Sequence, residues 1–259
     1  MPSRIVKPAA ANPTPAAKIR AFGELSRAAT CPDHRGADIL PDVPIFAFLR
    51  LWLDPVRRPG PEAMAVDQWL LETATAPVLR VYGWAGAWAS VGYFGKLDDA
   101  RAALPGIRWV RRWTGGGVVD HRTDWTYSVM APAGTDLTNM RGAESYRRIH
   151  LALAEALRVE RMAVRLSAGD EQTGAALCFE NPVGHDLVGA DGRKLAGAGQ
   201  RRTRHGLLHQ GSVAAACDDA ASKKRAVALA SMLAVEWQWH DFQPPAERIV
   251  SLVAARYGH

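Results

Sequence analysis

Three consecutive glycines, Gly115, Gly116 and Gly117, stand between two β-rich runs, RWVRRW (108–113) and WTYSVM (125–130). Glycines in a row let the backbone take conformations closed to residues with a Cβ, and let a ligand lie directly against the main chain. The N–H groups of such a loop can collect a phosphate or a carboxylate. Arg111 and Arg112 precede the loop, and His121 stands four residues past its last glycine. Successive side chains of a strand point to opposite faces, so only one of the two arginines can face the loop. No Gly-Lys-Ser/Thr follows, so the segment is not a P-loop, and the G-x-G-x-x-G spacing of a dinucleotide fingerprint is absent. Taken alone, the segment fits a ligand cradle and an empty glycine-rich hairpin equally well.

The surrounding pattern is that of an α+β domain. Residues 61–75 read as a helix, with Pro61 and Glu62 in the first turn and Val66, Trp69, Leu70 and Thr73 on one face. VLRVYGW (78–84) and WASVGYF (88–94) read as strands joined by a short loop. Residues 143–157 form an amphipathic helix through Tyr146, Ile149, Leu153 and Ala156. Residues 184–195 and 206–214 read as strands, and 219–237 and 245–257 as two helices interrupted by Pro244 and Pro245. Strands interleaved with a few helices imply a mostly antiparallel or mixed sheet.

The net charge of +6 favours anionic partners such as an acidic carrier protein or a phosphate-bearing ligand. No nucleic-acid-binding signature accompanies the scattered arginines, and no apolar run is long enough to span a membrane. Three cysteines, Cys31, Cys178 and Cys217, are too sparse and odd for a disulfide framework, and a reducing cytoplasm is the expected compartment. Residues 1–18 are Pro/Ala-rich with almost no large apolar side chains, so residues 1–43 are expected to be a flexible extension before a domain over 44–257.

A second segment, RKLAGAGQRRTRHGLLHQGSV (193–213), carries a lysine, Lys194, after an Asp-Gly turn. Such a lysine is ordinarily a solvated surface residue whose truncation costs within about 0.5 kcal/mol. Cys178 lies sixteen residues earlier, between Leu177 and Phe179, where a cysteine is ordinarily a small buried hydrophobe.

The two segments together resemble the lipoate- and biotin-protein ligase superfamily, which also contains octanoyltransferases. Arg111, Arg112, Thr114, Gly115, Gly116, Gly117, Val119 and His121 match its R-R-x-[ST]-G-G-[GR]-x-V-x-H motif. Lys194, Leu195, Ala196 and Gly197 match its K-[ILV]-x-G turn, and the run VYGW…SVGYF resembles a strand pair in which Tyr93 would lie near an acyl chain. Cys178, Phe179, Pro182, Asp186 and Leu187 match an element of one octanoyltransferase branch. The resemblance implies a fold like that of class II aminoacyl-tRNA synthetases and biotin ligases, with a mixed, largely antiparallel sheet flanked by helices.

It also implies transfer of an octanoyl or lipoyl group to a lysine of lipoyl-domain proteins. Cys178 would be the nucleophile that takes the acyl group from acyl carrier protein as a thioester, and Lys194 a cation at the reacting carbonyl. The arginines, the glycines, Thr114, His121 and Gly197 would line the site. No covalently bound cofactor and no metal site is implied. In the alternative, an ATP-dependent ligase acting on free lipoate or octanoate through an adenylate, ATP and Mg2+ enter. A biotin ligase and an idle acyl-binding relative are further alternatives.

Three departures stand out. The octanoyltransferase branch usually has Gly-Gly-Arg where this chain has a third glycine, Gly117, as the ATP-dependent ligases do. Ala198 replaces the usual Ser or Asn. Gln210 stands where a histidine is usual in His209-Gln210-Gly211-Ser212.

Overall fold

A computed structural model describes residues 44–169 and 182–258, which fall within one compact unit. The expected extension over 1–43 and Cys178 lie outside the described residues. The elements in chain order begin with β1 (Phe46–Leu53), α1 (Gly60–Thr73), β2 (Val78–Tyr82), β3 (Trp88–Val91), α2 (Leu97–Ala103), β4 (Arg108–Arg111) and β5 (Val118–Asp120). Next come β6 (Trp125–Pro132), α3 (Asp136–Asn139), α4 (Gly142–Val159), β7 (Val164–Leu166), β8 (Leu187–Gly189), β9 (Lys194–Thr203) and β10 (Gly206–Val213). The chain closes with α5 (Asp219–Leu233), β11 (Ala234–Trp239), α6 (Ala246–Leu252) and a π-helical turn, Val253–Tyr257.

Eight strands form one sheet in the order β11-β1-β2-β6-β10-β9-β8-β7. The pairs β11–β1 and β1–β2 are parallel, and every later pair is antiparallel. The sheet is therefore mixed and largely antiparallel, as the sequence pattern implies. A second sheet, β4-β3-β5, carries the glycine segment. Strands β2 and β3, read as neighbours joined by a short loop, do not pair with each other; each enters a different sheet.

Alternation along the strands sorts the two faces of the large sheet. Arg80, Tyr82, Thr126, Ser128, Met130, Leu208, Gln210 and Ser212 look toward α1, while Tyr127 and His209 look toward α4. Helix α1 is buried almost all round, because it lies between the large sheet, the small sheet and α6. Asp67 on α1 is fully buried, which only paired carboxylates tolerate. It meets Arg80 at 2.6 Å, and Arg80 meets Asp54 at 2.7 Å. Burial works against the Asp54 charge, but hydrogen bonds and charge from Arg58 and Arg80 outweigh it and hold the carboxyl below its ordinary range.

One sequence expectation fails in a way the pairing explains. The helix read over 219–237 stops at Leu233, and AVEWQW continues as β11. Ala234 and Trp237 are buried, and Phe46 to Leu51 of β1 supply its ladder. The helical reading missed β1, and without that strand nothing exists for 234–239 to pair with.

Behind the sheet, α4 contributes His150 to a buried layer with Tyr127, Tyr146 and His209. His150 Nδ1 meets the His185 carbonyl at 2.6 Å, and His209 is held between Tyr127 Oη and Gln200 Nε2. Burial lowers His150 from the usual 6.5 to about 4 and pushes His209 well below 6.5. Both rings are therefore neutral in the fold near pH 7. Above pH 6.5 they are neutral in the unfolded chain too. As pH falls from about 6.5 toward 4 the unfolded chain takes up protons that the folded His150 refuses, so stability drops. The loss from His150 alone is on the order of 3 kcal/mol across that window. Urea unfolding at stepped pH should show this decline, and His150→Gln should flatten it. An unchanged slope in that variant would contradict the assignment.

Candidate active site

A narrow cavity with about 450 Å3 of empty space, its open mouth included, lies between the two sheets. Arg112, Gly116 and His121 come to it from the glycine segment, and Lys194, Gly197, Ala198 and Gly199 from β9. Met64, Tyr82, Trp84 and Val119 supply apolar wall, and Thr126, Gln210 and Ser212 polar wall. The two segments singled out in the sequence therefore meet around one space.

The glycine loop is folded around an arginine. The buried Arg112 donates to the carbonyls of Gly117 at 2.8 Å and Gly115 at 3.3 Å. Gly116 takes φ +99°, which residues with a Cβ rarely adopt. Across the cavity, a Cβ on Gly199 would sit 2.3 Å from the Gly115 carbonyl oxygen, so β9 and the loop touch backbone to backbone. Arg111 points the other way. It donates to the carbonyls of Tyr93 at 3.1 Å and Gly95 at 2.6 Å and anchors the turn after β3. Alternation thus gives the cavity one arginine of the two. Thr114 is buried beneath the loop and donates to Gln210 Oε1 at 2.8 Å. Neither Thr114, Gly115, Gly117 nor Arg111 lines the cavity wall. Tyr93, expected beside an acyl chain, is not in the wall either; the residue is 40% exposed, and its ring stands edge-on to Phe94.

Gln210 has a role that explains the departure from histidine. Its amide oxygen accepts from Thr114, and its nitrogen donates to Asp67 Oδ2 at 2.8 Å. It links the buried Asp67–Arg80 pair to the glycine loop.

His121 belongs to a chain of hydrogen bonds that the sequence did not reveal. Arg112 donates to Ser90 Oγ at 2.5 Å, Ser90 Oγ lies 2.6 Å from His121 Nε2, and His121 Nδ1 lies 2.7 Å from Asp124 Oδ2. Arg112 can only donate to Ser90. The hydroxyl proton is then free for Nε2, and Nδ1–H donates to Asp124. Trp84 stacks on the imidazole with centroids 4.1 Å apart. His121 is thus fixed in tautomer and plane. The spacing of Asp124, three residues past His121, was the one available signal.

Lys194 corrects a sequence expectation. It is the first residue of β9, not a solvated turn residue, and its side chain is 3% exposed. Its Nζ lies 2.7 Å from Asp186 Oδ2. The β8–β9 ladder is irregular here: Leu187 pairs with Ala196, and Val188 with Lys194. One step on β8 spans two on β9, and such a bulge re-aims side chains. A Cβ on Gly197 would lie 2.5 Å from Lys194 Cε, so the lysine stem folds across that glycine.

Residues 59–232 match the lipoyl protein ligase A/B catalytic domain. The chain belongs to that family. Among curated relatives, the octanoyltransferase LipM of Symbiobacterium thermophilum is 33% identical over 181 residues, covering 62% of this chain and 63% of that protein. The octanoyltransferase LipM of Moorella thermoacetica is 37% identical over 163 residues, covering 58% and 59%. The matched stretch is thus about three fifths of the length of these relatives. Protein Ta0514 from T. acidophilum, solved with bound lipoic acid, superposes with TM-score 0.60 at 18% identity over 80% of this chain and 92% of that one. Lipoate-protein ligase A bound with ATP gives 0.57 at 20% identity, with the same coverage. These two share the fold, as the superfamily resemblance implied. No helix among the described residues is long and apolar enough to cross a membrane.

Proposed function

We propose that the chain transfers an octanoyl group from the thioester of acyl carrier protein to a lysine of lipoyl-domain proteins, through a thioester on Cys178. The observation that carries this reading is the placement of the Lys194 ammonium, Arg112 and the glycine loop around one cavity with aromatic and aliphatic wall. The identity to octanoyltransferases supports it, and so does the sequence match around Cys178.

The steps balance without redox or an added activator. The Cys178 thiolate attacks the donor carbonyl, the tetrahedral oxyanion collapses, and the carrier thiolate leaves. The acceptor amine then attacks the Cys178 thioester, loses a proton as the amide forms, and the thiolate is released. Lys194 acts as a cation beside each oxyanion. His121, Ser90 and Asp124 keep Arg112 and the loop in place.

The third glycine, Gly117, favours the ligase reading, in which ATP activates free octanoate or lipoate. An assay with a lipoyl domain decides between them. Octanoyl acyl carrier protein alone should give octanoylated domain, and free octanoate with ATP and Mg2+ should not. Product formed only in the second mixture would replace this reading with the ligase.

A further inference from the structure

We propose that Asp186 and Tyr146 are positioning residues that hold the Lys194 ammonium in the cavity wall, so that Lys194 serves as a fixed cation. The proposal rests on the reading above that Lys194 faces the reacting carbonyl. Strand β8 begins at Leu187, paired with Ala196, so beyond that point no strand among the described residues lies beside β9 on this edge. Asp186 occupies the vacated edge. It is fully buried, and its carboxylate is used on both oxygens. Oδ2 accepts from Lys194 Nζ at 2.7 Å and from the Val183 amide at 2.9 Å. Oδ1 accepts from Tyr146 Oη at 2.5 Å.

Tyr146 comes from α4 and does two things with one hydroxyl. It donates to Asp186, and it accepts from the Ala198 amide at 2.9 Å, the strand N–H that β8 leaves uncovered. Ala198 lines the cavity beside Gly197. The phenol therefore sets both the carboxylate that holds Lys194 and the backbone that Lys194 folds across. Burial and the neighbouring Asp186 charge push the Tyr146 hydroxyl well above its usual range, so it remains a donor at any working pH. Among the described residues, the other ionisable groups facing this cluster are His150 on α4 and His209 on β10, both kept neutral by burial, Tyr127 on β6, His185 beside Asp186, and Arg112 and His121 across the cavity. A buried carboxylate with a full set of donors holds a cation in one place, and a preorganised charge is what an oxyanion site needs.

The test combines kinetics with a readout that needs no activity. In the full chain, Tyr146→Phe should lower kcat about tenfold while the KM for octanoyl acyl carrier protein stays within about twofold. In a Lys194→Ala background the same change should slow transfer no further, because the coupling runs through the lysine. Independently, lysine ammonium protons normally vanish from NMR spectra by exchange with water, and one held by a buried carboxylate persists. The chain has six lysines, Lys7, Lys18, Lys96, Lys194, Lys223 and Lys224, so a protected signal is readily assigned. Wild type should show it for Lys194, and Tyr146→Phe and Asp186→Asn should lose it with the fold intact by amide spectra. If wild type moves no acyl group, the functional reading fails while the ammonium signal still decides the positioning claim. Retention of the protected signal in both variants would overturn the proposal, as would an equal slowing by Tyr146→Phe with and without Lys194.

Discussion

Lys194→Ala is expected to slow octanoyl transfer on the order of a hundredfold or more, with most of the loss in kcat. The ammonium lines the cavity, held by Asp186. In the proposed reaction its charge meets an oxyanion that exists only along the reaction, so ground-state binding should suffer less than turnover. The substitution also has a structural cost that the surface reading of this residue did not include. It leaves Asp186 buried without its counter-charge, and breaking a buried pair costs roughly 3–5 kcal/mol. Tyr146 and the Val183 amide still hold the carboxylate, which places the expected loss toward the lower end. Steady-state kinetics well below the unfolding temperature separate the two effects. Near-wild-type turnover in Lys194→Ala would remove the residue from the mechanism.

Arg80→Met is expected to be among the most destabilising single changes in the chain. Arg80 is fully buried, pairs with Asp54 and Asp67, and donates to the Ala63 carbonyl at 2.9 Å. Methionine fills part of the volume but leaves the carboxylates without their shared cation. Asp54 retains Arg58. Among the described residues, Asp67 retains only neutral donors, Ser128, Gln210 and Tyr82. A loss of roughly 3–5 kcal/mol follows, a large part of the 5–15 kcal/mol that usually holds a domain together. The effect should reach the cavity, because Gln210 connects Asp67 to Thr114 under the glycine loop. The midpoint of urea unfolding should fall with little change in slope. A loss below about 1 kcal/mol would show that this network is not what holds α1 to the sheet.

How much of this could be read from the sequence varies with the physical range of the signal. The glycine run, the arginine pair and the α4 periodicity are local patterns, and each predicted its element. The choice between Arg111 and Arg112 was narrowed to one by strand alternation, and only pairing with β3 settled which. The burial of Lys194 was missed because it depends on Asp186 and on a bulge, and neither shows in the composition of the turn around it. Ser90 and Tyr146 were missed as polar partners for the same reason. Their bonds join residues as distant as 52 positions in the chain, and Tyr146 fits the apolar face of a helix. The strand β11 needed its partner β1 to be seen first.

The most direct test of the account is the mass of the intact protein after incubation with octanoyl acyl carrier protein, without ATP or acceptor. The account predicts a gain of one octanoyl group, located at Cys178 by peptide mapping, released by hydroxylamine and absent from Cys178→Ala. An unmodified protein, together with a Cys178→Ala variant that still octanoylates a lipoyl domain at the wild-type rate, would contradict it.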